Sequence, residues 1–220
     1  MKRLIIVCEG PTEQTFCKTM LQVHLQNKNI FIQTPLIKHV KGGIVKWPIL
    51  KHQIETHLKA EPTAFVTTFI DYYGLYSKHS FPGWDDSERI LDRNSRMEAL
   101  EAGMYHDIHP DLRYRFIPYL QLHEFEGLLF NDINIIYSQI PAEDIVGRQE
   151  LESTFADYEN PEMINNERVT SPSHRLQRII KGYNKVVYGD ILAEAIGLHR
   201  IKSKSPRFNN WLVKLESLDQ

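Results

Sequence analysis

The stretch Leu4-Ile5-Ile6-Val7-Cys8-Glu9-Gly10-Pro11-Thr12 decides the fold. Residues 4–8 form an unbroken apolar run, the pattern of a central strand buried on both faces of a parallel sheet. Glu9 stops the run and Gly10-Pro11 turns the chain. Thr12 is then placed to cap a helix whose apolar positions include Phe16, Met20, Val23 and Leu25. A second run, Ala64-Phe65-Val66-Thr67-Thr68-Phe69-Ile70, is β-branched and aromatic and reads as another strand, ending on Asp71.

Outward from these two strands the chain alternates. Residues 30–40 read as a strand, with Pro35 marking an edge or a bulge. Gly42-Gly43 is a break, and helical spacing follows over 44–59. A polar loop spans 71–83, and a charged helix over 85–104 is expected on the surface. Residues 114–122 read as a strand weakened by Pro118, and 123–137 as a helix. Beyond Ser138 no strand is expected, only helices at 142–158, 173–181, 186–196 and 206–218. Strands alternating with helices predict an α/β fold with a mostly parallel sheet flanked by helices. The expected organisation is a core over 1–140 and a helical, basic C-terminal part over 141–220, packed on that core.

Composition supports a packed globular protein: 42% of the 220 residues are hydrophobic and 25% charged. Cys8 and Cys17 are too few for a disulfide framework and read as small buried hydrophobes. The apolar run at the N-terminus is too short for a signal sequence, and no stretch is long enough to span a membrane. A cytoplasmic location is expected. Residues 1–167 carry 16 Lys+Arg against 24 Asp+Glu, net −8, whereas 168–220 carry 10 against 4, net +6. An acidic body beside a basic tail suits a metal site near a polyanion-binding surface, although two solvated faces of opposite sign would give the same count.

In open α/β sheets functional groups gather beyond the carboxyl ends of the strands. Three expected strands end in carboxylates, at Glu9, at Asp71 and at His123-Glu124-Phe125-Glu126. Carboxylates brought to one edge repel one another unless a cation neutralises them. Hard oxygen donors suit Mg²⁺ or Mn²⁺. Glu124 and Glu126 are two apart and do not share a helix face, so one is expected in the site, and Glu124 is nearer the strand end. Glu13 reads equally as a charge favoured by a helix N-terminus. His106 and His109 read as surface histidines, and His123 as a core histidine or a group that orients a carboxylate or exchanges protons. Trp211 reads as an anchor for the last helix. Lys181, Lys185, Lys202 and Lys204 are the candidate phosphate-binding residues, the last two placed in a loop. No Walker A motif, GxGxxG or nucleophile elbow is present.

The segment Val7-Cys8-Glu9-Gly10-Pro11-Thr12-Glu13 resembles the opening motif of Toprim domains. The segment Gln121-Leu122-His123-Glu124-Phe125-Glu126-Gly127-Leu128-Leu129-Phe130 is more specific. So is Gly197-Leu198 followed by Lys202, Lys204, Pro206, Phe208 and Trp211. Together they resemble an uncharacterised bacterial family, number 4276 among the domains of unknown function, over nearly the whole chain. That resemblance implies a Toprim-like (Rossmann-like) fold similar to OLD-type nucleases, in which an invariant Glu and an Asp-x-Asp pair work with a divalent metal. Glu9 would be the first-motif glutamate, as general acid/base or metal ligand, and Asp71 the first aspartate. Tyr73 stands where the second aspartate is expected, so Glu124 or Glu126 would have to complete the site.

The expected function is therefore a Mg²⁺- or Mn²⁺-dependent nuclease or phosphodiester-transfer protein, in phage defence or nucleic-acid maintenance. Glu9, Asp71, Glu124 and Glu126 would be catalytic, with Glu9, Asp71 and Glu124 at the metal. DNA or RNA would be the partner. The alternative is a non-catalytic or conditionally active subunit beside a separate ATPase.

Overall fold

The computed structural model describes residues 1–38, 45–164, 167 and 169–219. Five strands, β1 (Lys2–Cys8), β2 (Ile30–Gln33), β3 (Ala64–Asp71), β4 (Phe116–Ile117) and β5 (Leu120–Gln121), form one sheet. Its order is β2-β1-β3-β4, with β5 also on β3, and every pairing is parallel. The fold is α/β, a parallel sheet flanked by helices. Leu4, Ile6 and Cys8 of β1 enter one hydrophobic core, while Ile5 and Val7 enter the other. That two-sided burial is why the run carries no polar alternation.

Several elements depart from the sequence reading. The first helix is Pro11–Phe16, with Gly10 at its N-cap and Thr12 inside. Proline is favoured at the first helical position because its φ is preset and its missing N–H would be unpaired there. Strand β2 ends at Gln33, and pairing resumes beyond Pro35 as a bridge between Cys8 and Leu36. The helix expected over 44–59 is Trp47–Ala60, because Pro48 is tolerated only in the first turn. Gly42, Gly43 and Ile44 lie outside the described residues.

The helix expected over 85–104 is two, Trp84–Ser87 and Arg93–Asp107. Asp92 starts the second by accepting a hydrogen bond from Ser95 N at 2.8 Å. Instead of lying on the surface, it buries Met97, Leu100 and Met104 in the second core. The strand expected over 114–122 is split into β4 and β5 at Pro118, which cannot donate to the ladder. The threonine side chains of β3 bridge the gap: Thr67 Oγ1 donates to Ile117 O and Thr68 Oγ1 to Tyr119 O, at 2.6 and 2.7 Å. Residues 123–137 form a 3₁₀ turn, Phe125–Leu129, and a short helix, Ile133–Gln139. Residues 142–158 likewise divide, into a 3₁₀ turn at Ala142–Asp144 and the helix Arg148–Asp157.

The later helices are Pro172–Ile179, Lys185–Ile196, Leu198–Lys204 and Pro206–Glu216. Leu198–Lys204 lies where the sequence suggested a loop. Phe208, Trp211, Leu212 and Leu215 enter the same core as Phe16 and Phe69. Trp211 is buried, stacks on Tyr119 with centroids 4.5 Å apart, and donates from Nε1 to Thr67 Oγ1 at 2.9 Å. No helix among the described residues is long and apolar enough to cross a membrane.

Candidate functional site

Parallel strands β1, β3 and β5 end side by side, and their continuations meet beyond the sheet. Tyr72 N donates to Gln121 O and Tyr73 N to His123 O, at 2.9 and 2.8 Å, so residues 71–73 run beside 121–123. Carboxylates lock this junction. Glu9 Oε2 accepts from Asp71 N at 2.9 Å, and Asp71 Oδ1 accepts from Phe125 N at 2.9 Å. Glu13 Oε2 accepts from Gly10 N at 2.9 Å, as a third-position glutamate does in a capping box. Each of these acids is oriented by a backbone N–H.

Glu126 completes the group from the 3₁₀ turn. It is fully buried, Oε1 lies 3.1 Å from Lys185 Nζ, and Oε2 has no hydrogen-bond partner. Lys185 begins the helix Lys185–Ile196, which Gly189 lets approach closely: a Cβ there would meet Thr12 Cγ2 at 3.1 Å. The close crossing brings the ammonium group over the acids, with its stem half exposed.

The electrostatics follow from this crowding. Burial, and then Glu13, push the Glu9 carboxyl up to about 7, against the pull of Asp71 N–H and Lys185. Burial raises Glu126 to about 7, with Lys185 opposing and Glu124 and Glu13 adding. Asp71 is raised well above the usual carboxylate range by burial, then by Glu13 and Glu9. Burial alone would lower the Lys185 ammonium, but Glu126, Asp71 and Glu13 outweigh it and hold the pKa above its ordinary value. Among the described residues, four carboxylates thus share one ammonium, an arrangement with surplus negative charge.

The structure separates the two glutamates of the HEFEG segment. Glu124, the one favoured from sequence, accepts from Ser173 N and Ser173 Oγ at 2.8 and 2.9 Å, at the start of the helix Pro172–Ile179. Its backbone is extended, and His123 before it has φ of 66°, so the chain turns sharply before the 3₁₀ turn begins. Glu126 therefore joins Glu9 and Asp71, while Glu124 caps a helix.

Of the four lysines, only Lys185 reaches this cluster. Lys202 Nζ donates to Glu216 Oε1 and Lys204 Nζ to Asn131 O, at 2.8 and 2.7 Å. Lys181 is exposed, and its backbone N donates to Asp144 O. Cys8 and Cys17 are buried, with sulfurs 3.9 Å apart. His109 caps a short helix through Nδ1. Among the described residues, no three His, Cys, Asp or Glu side chains converge closely enough to hold a metal ion as they stand.

Two members of the cluster had other readings from sequence: Glu13 as a helix-terminal charge and Lys185 as a phosphate binder. The Gly-Pro-Thr-Glu spacing does reveal the capping role of Glu13. Lys185 depends on a helix crossing that no local pattern encodes.

No curated protein and no solved structure matches the chain. A family model described as "Domain of unknown function (DUF4276)" matches residues 8–216. With nearly the whole chain matched, from the end of β1 through the last helix, this protein belongs to the DUF4276 family.

Proposed function

We propose that this chain is a divalent-metal-dependent, Toprim-type protein that acts on phosphodiester bonds in nucleic acid. One observation carries the reading: among the described residues, four carboxylates, Glu9, Glu13, Asp71 and Glu126, interact with a single ammonium at the carboxyl edge of a parallel sheet, and a buried oxygen of Glu126 has no partner. The donor set fits Mg²⁺ or Mn²⁺, since every donor is a hard oxygen and the surplus charge is negative. Glu9, Asp71 and Glu126 would hold the ion, with Glu13 as a nearby fourth acid. Their convergence would require side-chain rotation and displacement of Lys185, which its half-exposed stem allows.

Such an ion supplies Lewis-acid polarisation of a phosphoryl oxygen and a water of lowered pKa. The chain's own contribution is orientation. Backbone N–H groups of Gly10, Asp71 and Phe125 each fix one carboxylate oxygen and leave its mate for another partner. Lys185, once displaced from Glu126, offers a donor to a phosphate oxygen.

Mn²⁺ titration followed by electron paramagnetic resonance tests the site directly. Wild type should bind Mn²⁺ at neutral pH, and Glu126→Gln and Asp71→Asn should each weaken binding at least tenfold. Cleavage of DNA and RNA panels with Mg²⁺ or Mn²⁺ should fall with Glu9→Gln. Full cleavage by Glu9→Gln would sink the mechanism.

Tyr73 at the position of the second Toprim aspartate, with no three ligands converged among the described residues, supports a second reading, a non-catalytic or conditionally active subunit beside a separate ATPase. Copurification from the native host separates the two: efficient cleavage by the lone chain excludes an obligate partner.

A further inference from the structure

A polar cavity lies at the same sheet edge, on the opposite face from the carboxylates. It has a volume of about 210 Å³ and is lined by Tyr72, Arg93, Arg96 and His123, with apolar walls. Tyr72 directly follows Asp71, and His123 directly precedes Glu124. Tyr72 belongs to the core beneath the helix Arg93–Asp107, whereas Phe69 and Phe125 belong to the other core. The cavity and the carboxylate cluster thus stand back to back across residues 71–73 and 123–125.

The polar groups around the cavity are donors in surplus. Arg93 and Arg96 sit one turn apart at the start of a fifteen-residue helix, whose N-terminal end adds positive potential. Among the described residues, no carboxylate lies within ion-pair distance of either guanidinium, and no acidic side chain lines the cavity. The nearest acid in sequence, Asp92, is held by Ser95 N and Ser95 Oγ at 2.8 and 2.6 Å. Arg96 donates from Nε and Nη2 to Ile90 O, at 3.0 and 2.7 Å, which fixes its plane.

His123 supplies the independent observation. It is 2% exposed, and its Nε2 lies 2.9 Å from Arg93 Nη1. A guanidinium only donates, so Nε2 accepts and the ring proton resides on Nδ1. That Nδ1–H is buried and has no hydrogen-bond partner. Arg93 also donates to Met163 O at 3.1 Å, so the imidazole and guanidinium are braced as a unit.

We infer that this cavity is a phosphate-binding subsite in which Arg93 and Arg96 hold one phosphate group, with His123 in the cavity wall bracing Arg93 through Nε2. Two guanidinium groups without a carboxylate partner match a tetrahedral oxyanion better than a neutral ligand. The subsite goes beyond the metal reading and needs no cation. If the carboxylates act on a nucleic-acid backbone, the cavity takes a neighbouring phosphate of the same strand, which sets the register of cleavage. The same chemistry would also accept inorganic phosphate or a mononucleotide.

The test is run in EDTA, so that it stands apart from any metal-dependent chemistry. The side-chain ¹⁵N–¹H signals of His123 are followed while inorganic phosphate, and separately a short 5′-phosphorylated oligonucleotide, are added to wild type. Either should shift the Nδ1–H signal, and Arg96→Gln should weaken the response about tenfold or more. A response to the oligonucleotide at lower concentration than to phosphate assigns the cavity to a nucleic-acid phosphate. A response to phosphate that the oligonucleotide does not compete assigns it to a free phosphate or mononucleotide. No shift with either ligand in wild type overturns the inference without relying on a variant that could misfold. An undiminished response in Arg96→Gln overturns it too. Failure of the carboxylate reading would appear in the Mn²⁺ titration and leave this measurement unchanged.

Discussion

Among the described residues, two clusters of charge are built on opposite terms. Around Arg207 every charged group is matched. Its guanidinium pairs with Glu101 and donates from Nε to Leu120 O at 3.2 Å, over the ring of Tyr119. Glu101 also accepts from Leu120 N, and the two oxygens of Glu162 accept from Arg207 N and Phe208 N, each at 2.9 Å. At the sheet edge, four acids share Lys185 among the described residues, and Glu126 keeps an unpartnered oxygen. The first cluster fastens the last helix to β5 and to the helix Arg93–Asp107. The second fastens little that a neutral side chain could not. Surplus charge is tolerated where something outside the chain is to be bound, and balance is required where the fold itself depends on the contact.

The largest expected effect tests the balanced side. Arg207→Ala leaves Glu101 buried without its cation, and breaking a buried pair on one side costs about 3–5 kcal/mol. Urea unfolding should show that loss, with divalent-ion binding per folded molecule unchanged. A loss under about 1 kcal/mol would mean the Arg207 cluster is no more structural than the sheet edge.

The surplus side should respond in the opposite direction. Glu9 and Glu126 have folded-state pKa values near 7, above their unfolded values. Between pH 4.5 and 7 the folded state keeps protons that the unfolded chain has released. Stability contributed by these groups is therefore complete at low pH and lost as pH rises through 7. Because the two groups interact, they titrate as a unit, and the expected decline from pH 5 to 8 is about 2–3 kcal/mol. Glu126→Gln should flatten that decline and raise metal-free stability at pH 8 by about 1–2 kcal/mol. Its partner Lys185 can hydrate, since its stem is half exposed. A Glu126→Gln protein as destabilised as Arg207→Ala would erase the contrast between the clusters.

Much of this arrangement is legible in the sequence where burial is two-sided. Strands β1 and β3 appear as apolar runs, and Glu9 and Asp71 follow from where those runs stop. The run at 85–104 is rich in charge, so its break at residues 88–92 is hard to see, and its buried face is diluted by charge. The helix Leu198–Lys204 follows Gly197 directly, and its Lys and Ser content resembles a loop. The choice between Glu124 and Glu126 was beyond local reading. Ser173, forty-nine positions away, claims Glu124, and Lys185, brought in by the close crossing at Gly189, claims Glu126.

That choice yields the smallest effect and the finest division between the clusters. Glu124 is as buried as the acids beside it, yet both of its oxygens are used, by Ser173 N and Ser173 Oγ. It belongs by position to the surplus cluster and by chemistry to the balanced one. Glu124→Gln keeps one acceptor for Ser173 N and loses the charge that favours a helix N-terminus. The expected cost is about 0.5–2 kcal/mol, the range for a lost cap. Mn²⁺ affinity should stay within about twofold of wild type, because the ligands proposed are Glu9, Asp71 and Glu126. If Glu124→Gln instead abolishes Mn²⁺ binding while stability is unchanged, Glu124 leaves Ser173 to join the metal, and the cap is only the resting position of a ligand.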